Sequence, residues 1–309
     1  MNFRDFKKLS GDASHTNFYR NKKNNSIIVY TKNDKFKNLL IYDSINKLLN
    51  LNNIDAPVLI NQYYAKNYIE ISDLGDEVAI KKFRKFKLVN YKPLFKILNK
   101  LINIKQRKIK TFLNTYYEIP QYTDNLLFRE AMLFSKWYLP TKMKKNTKKI
   151  SNKFNLIIRQ LIKKISLKKK VLVHRDFHLS NIIIFKKKTY LIDNQDAVYG
   201  SIAYDIASLI DDVRIKVSRS NREKLYSSYI SNIKILDQKK FRNDFEIISI
   251  LRNLKIIGIF TRLSKRDKKH SYLKMIPYAW KLIDERRKFN IHTNQLNLFL
   301  DKYFANKKY

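Results

Sequence analysis

Apolar residues follow two different periods along this chain, and the change between them divides it. Asn17–Arg20 and Ser26–Thr31 read as short strands joined by the polar turn Asn21–Asn25. Phe36–Leu51 instead places Phe36, Leu39, Leu40, Ile45, Leu48 and Leu49 at helical spacing. Two more strands are expected around Val58–Tyr64 and Asn67–Ile71, after which Ser72-Asp73-Leu74-Gly75-Asp76 breaks the pattern. Beyond Gly75 the spacing predicts helices over 90–105, 124–137, 151–166, 203–216, 221–232, 239–264 and 273–288. Val171–Val173, Ile182–Phe185 and Tyr190–Ile192 are β-type runs set inside that helical stretch, and the last two predict a hairpin around the turn Lys186–Thr189. The expected fold class is α+β in two lobes. A small β-rich lobe spans residues 1–75, and a large, mainly helical lobe spans 76–309 and carries the hairpin.

Composition narrows this picture. With 44% hydrophobic and 13% aromatic residues, the chain can bury a sizeable core. Cysteine is absent, which excludes disulfides, thiolate metal sites and thiol catalysis. No leader-like apolar segment or membrane-length apolar run is present, so the expectation is a cytoplasmic protein without a membrane partner. Lys and Arg number 65 against 26 Asp and Glu, a net charge of +39. A polyanion partner is one reading of that charge. The lysines recur in Lys81–Lys87, Lys142–Lys149, Lys163–Lys170, Lys186–Lys188 and Lys307–Lys308, spread along the chain. Such a spread favours a compositional bias over a nucleic-acid site, and no recognised nucleic-acid module accompanies it.

Candidate chemistry gathers at the hairpin. The segment runs His174-Arg175-Asp176-Phe177-His178-Leu179-Ser180-Asn181, then an apolar strand, a turn and a strand ending in Ile192-Asp193. Asp176 and Asn181 share one loop, and the hairpin returns the chain so that Asp193 ends beside them. Two carboxylates and an amide oxygen suit a hard cation such as Mg²⁺, which keeps waters and bridges phosphates. Phosphoryl transfer asks for that arrangement: a nucleophile held in line and charge neutralised on the transferring group. Asp176 is the candidate general base for an acceptor hydroxyl. Asn181 and Asp193 are the candidate metal ligands, and His174 a brace for the loop.

This segment resembles the catalytic loop and metal-binding segment of the protein-kinase-like superfamily, in its aminoglycoside and choline phosphotransferase branch. Within that branch several stretches are similar to the bacterial anomeric kinases of N-acetylmuramate and N-acetylglucosamine. They include Gly11–Ser14 with Phe18–Arg20, Ser72–Asp76, Leu127–Glu130 with Trp137–Leu139, Asp193–Gly200 with Tyr204-Asp205, and Leu254–Leu263 with Arg266-Asp267. The resemblance implies a two-lobed protein-kinase-like fold, ATP as co-substrate, Mg²⁺, and a small sugar as acceptor, acting in cell-wall sugar recycling, with a monomer expected. A kinase of an aminoglycoside or a choline-like amino alcohol is the alternative, and a basic nucleic-acid-binding pseudokinase a more remote one.

Carried over by position, the resemblance makes Gly11, Asp12, Ala13 and Ser14 the loop over the nucleotide phosphates. Residues Glu70 to Leu74, with Asp73, become the hinge that meets the adenine. Asp196 is implied at the second metal or the sugar, and Asp205 as the buried aspartate that fixes the catalytic loop. Arg129, Glu130, Arg175 and Asp267 are implied as acceptor-site residues. Two departures stand out. Asn194 occupies the position where the branch usually has an aromatic, and Ile27–Thr31 lacks the usual phosphate-binding lysine. Arg20 and Lys32 are the candidate substitutes for it.

Overall fold

A computed structural model of the chain describes residues 6–9, 16–21, 23–32, 37–86, 90–143, 145–167, 169–233 and 237–305. The chain divides into two compact units, Met1–Pro120 with Val171–Tyr199, and Gln121–Lys170 with Gly200–Tyr309. The break read at Gly75 falls inside the first unit, which holds the small-lobe strands and the hairpin together.

In the first unit, β1 (Lys7–Lys8), β2 (Thr16–Asn21), β3 (Ser26–Thr31), helix α1 (Lys37–Leu51), β4 (Leu59–Tyr63) and β5 (Tyr68–Ser72) follow in order. The strands form one antiparallel sheet in the order β1-β2-β3-β5-β4. The central strand β3 buries its apolar run Ile27-Ile28-Val29, whereas the edge strand β4 is largely exposed. Helix α1 lays Leu39 and Tyr42 on Ile27, Val29, Ile69 and Ile71, which makes this unit's core. Burying each such aliphatic side chain contributes about 1.5–3 kcal/mol, so one face of α1 is enough to hold the helix on the sheet. The chain continues through α2 (Ala79–Phe86), α3 (Lys92–Asn103), and the short hairpin β6 (Lys108–Lys110) and β7 (Tyr116–Glu118). It returns to this unit as β8 (Lys170–Val173), β9 (Ile182–Phe185), β10 (Lys188–Leu191) and β11 (Val198–Ser201), with β8 paired to β11 and β9 to β10. The returning hairpin has a tighter turn than the sequence suggests, with β10 already begun at Lys188.

The second unit is helical: α4 (Asp124–Leu133), a π-helical turn (Phe134–Tyr138), α5 (Leu139–Lys142), α6 (Thr147–Ile162), α7 (Tyr204–Ile210), α8 (Arg219–Ser231), α9 (Gln238–Asp267), α10 (Ile276–Arg287) and α11 (Asn294–Phe304). The helix expected over 124–137 is interrupted, and packing gives the reason. Gly258 of α9 approaches α4 so closely that a Cβ there would lie 2.3 Å from the Leu133 carbonyl carbon. The π turn follows at that contact and seats Phe134 and Tyr138 among Phe154, Trp280 and Phe304. The helix read over 203–216 ends at Ile210, and the one read from 273 begins at Ile276, where Pro277 fits the first turn but not an interior. Among the described residues, no helix is long and apolar enough to cross a membrane.

Candidate active site

The loop between β8 and β9 folds around its own buried side. His174, Phe177, His178 and Leu179 turn inward, which leaves Arg175, Asp176 and Asn181 only partly covered. His174 closes the loop on itself, because its Nδ1 accepts from the Asp176 backbone N–H at 3.2 Å and its Nε2 meets the Ile192 carbonyl at 3.0 Å. A backbone N–H can only donate and a carbonyl only accept, so these partners place the proton on Nε2. Arg175 takes a left-handed conformation, φ 73°, a costly one for a residue with a Cβ, and the chain turns sharply there. The carbonyl of Asp176 accepts from the His178 N–H at 2.9 Å and from Asn181 Nδ2 at 3.0 Å. The nitrogen end of the Asn181 amide is thereby engaged with the loop, and its oxygen is the end suited to a cation.

The hairpin delivers Asp193 to this loop. Ile192, its neighbour, is gripped from two sides: its N–H donates to the Asn181 carbonyl at 3.0 Å, and its carbonyl meets His174. Asp193 itself is left-handed, φ 62°, and its Oδ1 accepts from Gln195 Nε2 at 2.8 Å. Burial pushes the Asp193 carboxyl above the usual carboxylate range. The hydrogen bond from Gln195 and the nearness of His174 oppose that rise, while the charges of Asp176 and Asp196 add to it. Crowded, desolvated carboxylates are the surroundings a hard cation relieves, so the oxygen donor set of Asp193 and Asn181 fits Mg²⁺. Among the described residues no group of three or more His, Asp or Glu side chains forms a closed cage.

Around this centre the first unit supplies further groups. Arg175 Nη1 donates to the Asp196 carbonyl at 3.3 Å and lies 3.6 Å from its carboxylate. Burial, helped by the charge of Asp196, pushes the Tyr117 hydroxyl up to about 12. Asn194, fully buried, donates from Nδ2 to Asn46 Oδ1 of α1 at 2.7 Å and to the Leu191 carbonyl at 2.8 Å. Where relatives are expected to carry an aromatic, this chain has a buried amide bridge to α1. Glu70 is buried and accepts from Ser26 Oγ and, at 3.1 Å, from Asn61 Nδ2, so its side chain binds neighbouring strands together. Arg20 is committed to the segment after β5, with Asp73 at 2.5 Å, a second contact to Asp73 at 3.0 Å and Asp76 at 2.6 Å. Hydrogen bonding to Asp76, first of all, holds the Arg20 guanidinium firmly protonated. Gly75, at φ 73°, donates its N–H to Asp73 Oδ1 and completes the turn. Lys32 is exposed at the end of β3, and Gly11 to Ser14 lie outside the described residues.

The remaining candidates belong to the second unit. Arg129 is exposed. Glu130 accepts from Tyr122 Oη and pairs with Lys255 at 2.9 Å, and Tyr122 also reaches Tyr204 at 3.2 Å. Asp267 forms a two-pronged pair with its neighbour Arg266, at 2.7 and 3.0 Å. Asp205 is buried in the first turn of α7. Asn46, Tyr117 and Gln195 escaped the sequence reading. The polar Asn46 within the apolar face of α1 was the available signal for the first, and the other two gave none.

Residues 122–232 match the model of the phosphotransferase enzyme family, a stretch that includes His174, Asp176, Asn181 and Asp193. An N-acetylmuramate/N-acetylglucosamine kinase of Pseudomonas putida is 25% identical over 285 residues, covering 89% of this chain and 81% of that protein. The choline kinase of Streptococcus pneumoniae superposes with a TM-score of 0.63 at 12% identity, over 91% of this chain and 93% of the other. An aminoglycoside phosphotransferase of Streptomyces rimosus, solved with ADP and streptomycin, gives a TM-score of 0.56 at 14% identity over 81% and 93%. The chain therefore has the expected kinase-like α+β fold, and its residues 122–232 are similar to the phosphotransferase enzyme family.

Proposed function

We propose that this protein is an ATP-dependent kinase of N-acetylated amino sugars, which transfers the γ-phosphoryl group to the anomeric hydroxyl. The observation that carries the reading is the junction at Ile192, where His174 and Asn181 hold Asp193 against the loop of Asp176. Asp176, partly exposed and fixed through its own backbone, accepts the proton of the C1 hydroxyl as that oxygen bonds to the γ-phosphorus. The bond from phosphorus to the β–γ bridging oxygen breaks, and ADP leaves with the electron pair. Asp193 and Asn181 would hold Mg²⁺, which when bound neutralises charge on the phosphates. His174 keeps the base in place and transfers no proton in the reaction. Residues 1–75 are proposed to meet the nucleotide, with Lys32 offering a cation to its phosphates. Arg20, engaged with Asp73 and Asp76, stiffens the hinge instead. Asp196, Arg175, Arg129, Glu130 and Asp267 are the proposed acceptor contacts.

The sugar specificity rests on the relatives' activity and on the length of chain they share. A cytoplasmic, monomeric enzyme of cell-wall sugar recycling is the corresponding setting. The test is a panel of acceptors with ATP and Mg²⁺: N-acetylmuramate, N-acetylglucosamine, choline, ethanolamine and an aminoglycoside. An acid-labile sugar 1-phosphate is expected from the first two. Transfer only to choline or an aminoglycoside would replace the acceptor and keep the kinase, and no transfer to any acceptor would remove both.

A further inference from the structure

The bridge between Asn46 and Asn194 invites a question of energetics. Both side chains are nearly free of solvent, at 2% and 0% exposure. A buried amide pair of this kind at best recovers its desolvation, and a pair of leucines there would lose only the contacts to the Leu191 carbonyl and the Tyr42 hydroxyl. What an amide pair supplies and an apolar pair does not is direction. Asn194 uses Nδ2 to reach Asn46 on α1 and the Leu191 carbonyl of β10 together, so its backbone is pinned between a helix and a strand. The residue pinned next to it is Asp193, which sits in a left-handed conformation that its Cβ disfavours. Tyr42, one turn before Asn46, adds to the same cluster. Burial raises its hydroxyl pKa, the charge of Asp193 adds to the rise, and the Asn46 amide opposes it.

We propose that Asn46 is a positioning residue, which acts through Asn194 to hold the Asp193 carboxylate in its cation-binding orientation. The inference rests on the reading of Asp193 as a metal ligand. Helix α1 then does more than cover the sheet: its register sets the metal site.

The experiment measures Mn²⁺ binding by electron paramagnetic resonance in the presence of ADP, and ADP affinity in EDTA by calorimetry. The proteins are the full chain and its Asn46→Ala, Asn46→Leu and Asn46→Leu/Asn194→Leu variants, with a thermal melt of each. Outer-shell partners of metal ligands typically govern about 10–100-fold in metal affinity. A loss of that size is expected in all three, with ADP affinity in EDTA within about twofold of the parent. The double variant should recover most of the melting temperature that Asn46→Leu loses, while its Mn²⁺ affinity stays weak. Recovery of Mn²⁺ affinity together with stability would show a merely structural pair and overturn the proposal. Asn46→Ala, the smallest change, gives the same readout should the leucine variants fold poorly. Asp193→Asn separates the two levels of the argument. If it leaves ADP-dependent Mn²⁺ binding intact, the metal reading fails and the bridge with it. If it abolishes binding while the Asn46 variants bind normally, only the bridge fails.

Discussion

Asp176 is partly exposed while the residues on both sides of it are buried or bound, an exposure that suits the base proposed for a diffusing hydroxyl. Asp176→Asn is nearly isosteric and leaves the two hydrogen bonds to the Asp176 carbonyl in place, so the loop should keep its shape. The amide cannot take the proton. Turnover is expected to fall by about 10²–10⁴-fold, with ADP affinity within about twofold of the parent; unchanged kcat would dismiss Asp176 as the base. The grouping of Asp176, Asn181 and Asp193 was legible in the sequence because a short loop and a hairpin leave covalent geometry few alternatives. Arg20 was not legible. Its pairing depends on Asp73 and Asp76, more than fifty residues away, and only the sheet brings them together.

At the scale of elements, the β9–β10 hairpin carries an unresolved local conflict. Phe185 pairs with Lys188, so the loop is two residues long, and Lys186 and Lys187 both take positive φ, 47° and 64°. Two such residues make a type I′ turn, which matches the strand twist but favours Asn-Gly. Each lysine there costs about 1 kcal/mol relative to a residue at ease in the left-handed region. The double variant Lys186→Asn/Lys187→Gly is expected to stabilise the protein by roughly 1–2 kcal/mol, a rise in melting temperature of about 2–4 °C. A lower melting temperature would mean that the lysines make contacts worth more than the strain. The same turn explains a limit of pattern reading: without Gly or Asn to mark it, the turn seems longer from sequence than it is. The three-residue strands β6 and β7 carry too few apolar positions to show a period. The break after α4 is invisible for another reason, since it depends on Gly258 of a helix far along the chain.

At the scale of the whole molecule, the charge imbalance and a partly buried ion network act together in acid. In the second unit Arg286 donates to Asp211 at 2.8 and 3.0 Å and to Glu223 at 2.7 Å, while Arg242 bridges Glu223 and Glu246, both at 2.6 Å. Burial would raise the Glu223 carboxyl, but hydrogen bonds from Arg242 and Arg286 outweigh it and hold the group down at about 2. Arg286 also keeps Asp211 below its ordinary value despite complete burial. A carboxylate depressed on folding stabilises the fold above its unfolded pKa, and that stability is lost as pH falls through the folded value. The network should therefore weaken between about pH 4.5 and 2. Over the same range the 26 acidic residues lose charge and leave 65 Lys and Arg uncompensated, so self-repulsion grows as well. Salt separates the two effects, because 0.5 M NaCl shortens the screening length to about 4 Å and suppresses repulsion across the surface while short buried pairs survive. Melting temperatures measured in that salt should still fall on acidification in the parent. Glu223→Gln should start lower at pH 7 and fall less steeply below pH 4.5. A parent curve that turns flat in salt would leave self-repulsion as the whole cause, and the Arg–carboxylate network would then contribute no pH-dependent stability.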